Sequence, residues 1–290
     1  MFGHVLIVVA AFYAAGGLLV AAQRSGTAAA HCTGWGKYAT YGLFLATMLA
    51  VAQFGQLVYT AAVLILIVLS LLEFGKAVGL LLVSRIGLVA LGLTLAAGAA
   101  WGGTAALYPL AVAFALVTLA AGALASEPRP GLSHGMWAAT GIVAVATPAV
   151  HLLFIAQEAN RFVLFAFLFL VVSSSDSFAE MVGKRWGIGR GLLRASPGKS
   201  LSGLLAGLVA ALTLAAVLHA AVGVWTTPKA VAIGLLVWVA ATLGDLIASS
   251  LKRTLGIKDF GTALPGHGGI LDRFDSLILA ALPYYWVMGG

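Results

Sequence analysis

Apolar residues run along this chain in long blocks, and polar residues collect between them. A helix rises about 1.5 Å per residue, so crossing a bilayer takes about 20 apolar residues, and somewhat fewer where neighbours shield the ends. Blocks of suitable length lie at 2–22, 36–53, 56–72, 78–100, 105–125, 137–156, 161–175, 201–222, 229–250 and 276–288. None shows the alternation of a barrel strand, and open sheets cannot span lipid because their edges stay unpaired. The pattern predicts an all-α polytopic integral membrane protein with about eight to ten transmembrane helices. The first block is longer than a signal-peptide core and no clear small-residue cleavage site follows it, so it reads as a retained helix.

The segments between the blocks are unequal. If all ten blocks cross, the loops at 23–35, 73–77, 126–136, 176–200 and 251–275 share one side. With Lys37 just inside a helix end, that side holds thirteen of the sixteen Lys and Arg residues. Only Arg161 and Lys229 fall on the other side, and Arg85 lies within a block. Such an excess marks the cytoplasmic face.

Composition sharpens the picture. The chain is 62% hydrophobic and 9% charged, with a net charge of +7. In a membrane protein that excess belongs to the loops, and no soluble basic domain is present to bind nucleic acid. A single cysteine, Cys32, leaves no internal disulfide framework and no cysteine metal site. No repeat or low-complexity tail is evident. Residues 1–160 read as N-terminal transmembrane helices, and 161–290 as the region that carries the chemistry.

Three of the nine carboxylates, Asp259, Asp272 and Asp275, fall in the short stretch KDFGTALPGHGGILDRFDS at 258–276. Asp245 follows Gly244 inside an apolar block, where a carboxylate is costly unless paired, hydrated or metal-bound. An ion pair with Lys252 or a helix-end residue would satisfy it. The sharper reading is a divalent cation, since Mg²⁺ takes one or two carboxylates plus substrate phosphates, and Asp272 or Asp275 could join Asp245. On a helix Asp245, Ser249 and Lys252 share a stripe, as do Asp176 and Glu180. Gly266, Gly268 and Gly269 surround His267, which suits close approach of backbone N–H groups to a phosphate. The start of the last helix adds its positive end. The same residues would also make a plain tight turn. Lys252, Arg253 and Lys258 here, and Arg194, Lys199 and Ser200 in the other loop, are candidate phosphate contacts. Acids to hold metal, beside bases to hold phosphate, suggest phosphoryl or nucleotidyl transfer to a lipid.

At these residues the chain resembles a known family. Ser249-x-Leu251-Lys252-Arg253, then Lys258-Asp259-x-Gly261-x-x-Leu264-Pro265-Gly266-His267-Gly268-Gly269-Ile270-x-Asp272-Arg273-Phe274-Asp275, resembles the signature of phosphatidate cytidylyltransferases, the CDP-diacylglycerol synthases. Asp176-x-x-Ala179-x-x-x-Gly183 and Ser196-Pro197-x-Lys199-Ser200-x-x-Gly203 are similar to a second region of that family. Ser202 stands where the family usually has Glu, and Ser175 where it usually has Asn. The resemblance covers roughly 160–290.

It implies transfer of CMP from CTP to phosphatidate, with Mg²⁺ and room for a second cation. It implies Lys252, Arg253, Lys258, Asp259, His267 and Arg273 as catalytic residues. Asp176, Ser196, Lys199, Ser200, Ser249, Gly266, Gly268 and Gly269 would bind substrate, and Asp245, Asp272 and Asp275 metal. The expected setting is a bacterial inner membrane, with the site facing the cytoplasm and a homodimer as one assembly. Two alternatives stay open: a CTP-dependent enzyme acting on another lipid phosphate or a prenol, and a transporter. A transporter should place its charges near mid-bilayer on several helices.

Overall fold

The structure is a computed structural model that describes residues 2–22, 42–124, 128–191, 196, 198–263 and 268–288. Among the described residues the regular structure is helical: an all-α polytopic membrane protein. In chain order the helices are α1 (Phe2–Ala22), α2 (Gly42–Gln53), α3 (Gln56–Ala77), α4 (Leu82–Ala123), α5 (Pro128–Thr140), a π-helical turn (Gly141–Ala146), α6 (Thr147–Gln157), α7 (Arg161–Arg185), α8 (Leu201–Val222), α9 (Thr227–Thr254) and α10 (Ile270–Met288). Six described helical stretches are long and apolar enough to cross a membrane, and α1 and α2 add shorter apolar runs.

The blocks at 78–100 and 105–125 form one stretch, α4, broken at Gly103 (φ 60°, ψ −149°). Only glycine adopts that backbone readily, so the chain folds back there. Leu110 on the returning arm lies over Gly98 on the first. The block at 137–156 lies in a longer helical stretch, and Gly141 starts its π turn. A Cβ at Gly141 would sit 3.1 Å from Phe74 and 3.2 Å from Leu88, so glycine lets α3 and α4 close in.

At the centre runs α7, apolar on every side through 163–172 and buried there, as such a helix must be. It packs on α8, α8 on α9, and α9 on α10, while α10 also packs on α3 and α6. The 1–160 and 161–290 segments therefore share one core. The α7–α8 contact is close. A Cβ at Gly203 would stand 2.6 Å from the Ala179 carbonyl, and one at Gly207 3.0 Å from that of Ser175. Small residues at helix crossings in lipid permit this approach. Outward, α4 presents apolar side chains such as Trp101, which is 95% exposed, as a lipid-facing helix does.

Helices α7, α9 and α10 each extend past the predicted blocks, to Arg185, Thr254 and back to Ile270. The added turns carry the polar residues. They bring the C-terminal ends of α3, α7 and α9 and the N-terminal ends of α8 and α10 to one end of the bundle, where contacts join them.

Candidate active site

Three carboxylates meet at this end. Asp176 on α7, Asp245 on α9 and Asp275 on α10 lie within Coulombic range of one another. Asp176 and Asp245 each sit nine residues, or about 14 Å, before the last residue of their helix, so the cluster is sunk below the rim. The sequence explains the convergence of α9 and α10. A Cβ at Gly244 would lie 3.0 Å from the Asp275 carbonyl and 3.2 Å from the Ser276 Cα. Without a side chain at Gly244, α9 presses against α10 and its next residue, Asp245, comes beside Asp275.

Lys199 reaches in from the loop before α8, and its Nζ lies 2.5 Å from Asp245 Oδ2. Ser249, one turn along α9, donates its hydroxyl to Asp245 Oδ1 at 3.3 Å. Of the ion pairs weighed in sequence, the one with Lys252 is not formed, and the partner is Lys199, just before the N-cap of α8. Asp275 Oδ1 accepts the Ser276 N–H at 2.6 Å and the Ser276 hydroxyl at 3.2 Å.

Lys252 instead donates to Asp272 Oδ1 at 2.8 Å, and its ammonium lies 5.3 Å from the Phe260 ring centre. Asp272 Oδ2 accepts the Phe260 N–H at 2.8 Å and the Gly269 N–H at 3.0 Å. A carboxylate offers about four acceptor positions, so Asp272 has already filled at least three. Its side chain is only 5% exposed. Gly268 takes φ 82°, a backbone that favours glycine, and a Cβ there would lie 3.1 Å from Asp259 Oδ1 and 3.2 Å from Asp272 Oδ2.

The first N–H groups of α10, expected to face a phosphate, are already occupied. Glu73 near the end of α3 accepts the Ile270 N–H through Oε1 at 3.0 Å and the Leu271 N–H through Oε2 at 2.8 Å. Sequence reasoning missed Glu73. Its only signal was an acid closing an apolar block.

Ser200 is buried and caps α8, its Oγ accepting the Gly203 N–H at 3.1 Å. Ser202 Oγ lies 3.2 Å from Ser200 Oγ and accepts the Ile188 N–H at 3.1 Å. The residue standing in place of the family's Glu therefore ties the α7–α8 loop together. The Ser196 carbonyl accepts the Lys199 N–H at 3.0 Å, a turn that aims Lys199. Arg190 donates to the Gly183 carbonyl at 2.5 Å and caps α7. Glu180, expected on the Asp176 face, pairs with Lys184 in an exposed contact. Arg253, Lys258, Asp259 and Arg273 are exposed on the same end. Gly266, His267, Arg194, Lys37 and Cys32 lie outside the described residues.

An apolar cleft of about 460 Å³ opens beside the cluster. Leu243, Ile247 and Leu251 of α9 line one wall, Ala144 and Val145 of the π-helical turn another, and Asp275 borders it.

The residues suit a magnesium ion in a limited sense. Among the described residues no group of three or more His, Cys, Asp or Glu side chains forms a ready metal cage. Mg²⁺ does not need one, since it keeps waters and takes one or two carboxylates plus substrate phosphates. Asp245 and Asp275, with Asp176 in Coulombic range of both, outnumber Lys199 and would be the donor set for such an ion.

Residues 35–289 match the cytidylyltransferase family model, and the chain belongs to that family. It is similar to phosphatidate cytidylyltransferases: 40% identical over 153 residues to that of Brucella melitensis, 51% of this chain and 56% of the relative. To that of Bacillus subtilis it is 40% identical over 121 residues, 41% of this chain and 44% of the relative. It is also 36% identical over 123 residues to an uncharacterized protein of Escherichia coli K12, YnbB, covering 42% of this chain and 41% of the relative. The chain spans about half the length of these curated relatives.

Proposed function

We propose that the protein transfers the cytidylyl group of CTP to phosphatidate, giving CDP-diacylglycerol and pyrophosphate. The observation that carries this reading is the junction of a carboxylate–lysine cluster with an apolar cleft at Asp275. A lipid phosphate has its charge and its tail at adjoining places, and so does this site. The similar phosphatidate cytidylyltransferases support the same substrates.

In this reaction a phosphate oxygen of phosphatidate bonds to the α-phosphorus of CTP. The bond from that phosphorus to the α–β bridging oxygen breaks, and pyrophosphate leaves with the electron pair. No protein nucleophile is needed, because such transfers run on positioning and electrostatics. Lys252 is a fixed cation: Asp272 and the Phe260 face hold it, so no reorganisation is required when charge develops nearby. Arg253, Lys258 and Arg273 add positive charge at the rim toward the leaving pyrophosphate. Lys199 stands beside Asp245 and would contact the nucleotide phosphates. The cleft takes the lipid tail and keeps water from that side.

Two anionic substrates would be repelled by three carboxylates, and a divalent cation together with Lys199 would offset that charge. Asp245 and Asp275 would hold Mg²⁺, which would neutralise charge on the phosphates. Asp272 keeps at most about one acceptor position, enough to touch a second cation beside Lys252. The carboxylates keep company with Lys199 and Lys252 and with the cations of the nearby rim, and that pairing of acids with phosphate-binding bases favours catalysis over transport. The Lys- and Arg-rich end faces the cytoplasm in this reading, where CTP is found, and the setting is a bacterial inner membrane.

The test is purified protein in mixed micelles, offered CTP, dCTP, ATP and GTP against phosphatidate, a polyprenyl phosphate and a prenol. CDP-diacylglycerol and pyrophosphate in equal amounts is the expected result. Product with a polyprenyl acceptor and none with phosphatidate would overturn the substrate assignment.

A further inference from the structure

The contact between Glu73 and α10 joins the first half of the chain to the site, across 197 and 198 positions in sequence. The unpaired N–H groups and positive end of a helix N-terminus attract an anion. Here both oxygens of one carboxylate meet two successive N–H groups. The fit is tight on the other side as well: a Cβ on Gly261 or Gly269 would overlap the Glu73 carboxylate. Asp272 then gathers the neighbouring Phe260 and Gly269 N–H groups with one oxygen and Lys252 with the other. Four backbone donors, at 260, 269, 270 and 271, are thereby shared by two carboxylates. One of the two comes from a helix with no residue in the family signature.

The consequence is mechanical. Asp275 lies four residues, one helical turn, beyond Leu271. A shift or rotation at the start of α10 moves Asp275 against Asp245 and moves Lys252 through Asp272. Gly261 and Gly269 acquire a reason independent of phosphate, since they leave room for the Glu73 side chain. Phe74, the next residue, is buried and lines the cleft, so the last turn of α3 is fixed on the same side.

We propose that Glu73 is a positioning residue: it sets the height and rotation of the α10 N-terminus, and through it the Asp245–Asp275 spacing and the placement of Lys252. The proposal rests on the catalytic reading above for its effect on rate, but not for the contact itself. Glu73→Gln keeps the length and loses one acceptor and the charge. Glu73→Asp keeps the charge and both acceptors on a shorter arm.

Two measurements on the full chain in detergent decide it. The first is amide hydrogen exchange. Glu73→Gln should speed exchange in peptides covering 258–275 and leave those of α7 and α8 unchanged, with the melting temperature little moved. Unchanged exchange at 258–275 overturns the proposal, whatever reaction the protein performs. The second is steady-state kinetics with CTP and phosphatidate. Glu73→Gln should lower kcat roughly ten- to a hundredfold, as small misplacements do. The KM for CTP should stay within about twofold, and Glu73→Asp should recover part of the loss. Gly261→Ala, which pushes the carboxylate aside, should lower kcat in the same way, and the double variant should be no worse than the worse single one, because both act through one contact. Wild-type kcat in Glu73→Gln, or full additivity, would overturn it. If wild type makes no CDP-diacylglycerol, the function proposed above fails and the exchange experiment alone judges Glu73.

Discussion

The two ends of α10 differ in kind. Its N-terminal end carries Asp272, Arg273 and Asp275 and meets Glu73, Asp245 and Lys252. Its C-terminal end carries Tyr284, Tyr285 and Trp286, about 21 Å away from Asp272 at 1.5 Å per residue. There the hydrogen bonds of the ring groups are neutral and matched. Trp286 Nε1 donates to Tyr108 Oη at 2.6 Å. Tyr108 Oη meets His151 Nε2 at 2.9 Å, and His151 Nδ1 meets the Thr147 carbonyl at 2.8 Å. A carbonyl only accepts, so Nδ1 carries the proton and Tyr108 donates to Nε2. Tyr284 donates to the Leu164 carbonyl at 2.8 Å and stacks on Phe167. One end is satisfied by itself. The other crowds like charges that burial makes costly, and such crowding is tolerated where it serves a function.

Breaking this comparison at the charged end should cost activity and not fold. Asp275→Asn should lower turnover at least about a hundredfold, because it removes charge that the cation and the reacting phosphates would need. Its melting temperature should match or exceed that of wild type, since a repulsive charge is gone. A folded variant with near-normal turnover would remove Asp275 from the reaction.

At the aromatic end the outcome should reverse. Tyr284→Phe deletes one buried hydrogen bond and leaves the Leu164 carbonyl without its side-chain donor, for a loss of about 1–3 kcal/mol of stability. Denaturation in detergent should shift, while kcat and the Mg²⁺ midpoint stay as in wild type. A change in metal dependence would mean that the two ends are coupled along α10.

The smallest effect is expected at Ser202. Its hydroxyl serves the Ile188 N–H and Ser200. Ser202→Glu keeps an acceptor there, so the rate should change by less than about threefold, as at ordinary surface sites. A tenfold fall in the Mg²⁺ needed for half-maximal rate would show instead that a carboxylate at 202 binds the ion.

Much of this was legible in the sequence, for physical reasons that also explain the gaps. The block at 201–222 coincides with α8, because that helix is apolar to both ends. The blocks ending at 175 and 250 stop short of α7 and α9, because hydropathy fades where a helix begins to carry the site. Asp245 and Asp275 stood out as acids in a greasy chain, and the structure brings them together with Asp176. Glu73 did not stand out. Its partners are backbone N–H groups nearly two hundred residues away, and backbone leaves no mark in a sequence. Asp272 was visible as an acid, but its bonds to Phe260 and Gly269 were not, for the same reason. The pairing of Lys199 with Asp245, rather than Lys252, follows from the close α7–α8 crossing, which only Gly183, Gly203 and Gly207 together hinted at.

The most direct test of the account is a Mg²⁺ titration of CDP-diacylglycerol formation by purified protein stripped with chelator, run on wild type and on Asp245→Asn. The carboxylate cluster as a cation site predicts no product in chelator, full recovery on adding Mg²⁺ to wild type, and no recovery in Asp245→Asn at concentrations that saturate wild type. Product formed by wild type in chelator, or the same Mg²⁺ curve for both proteins, would contradict it.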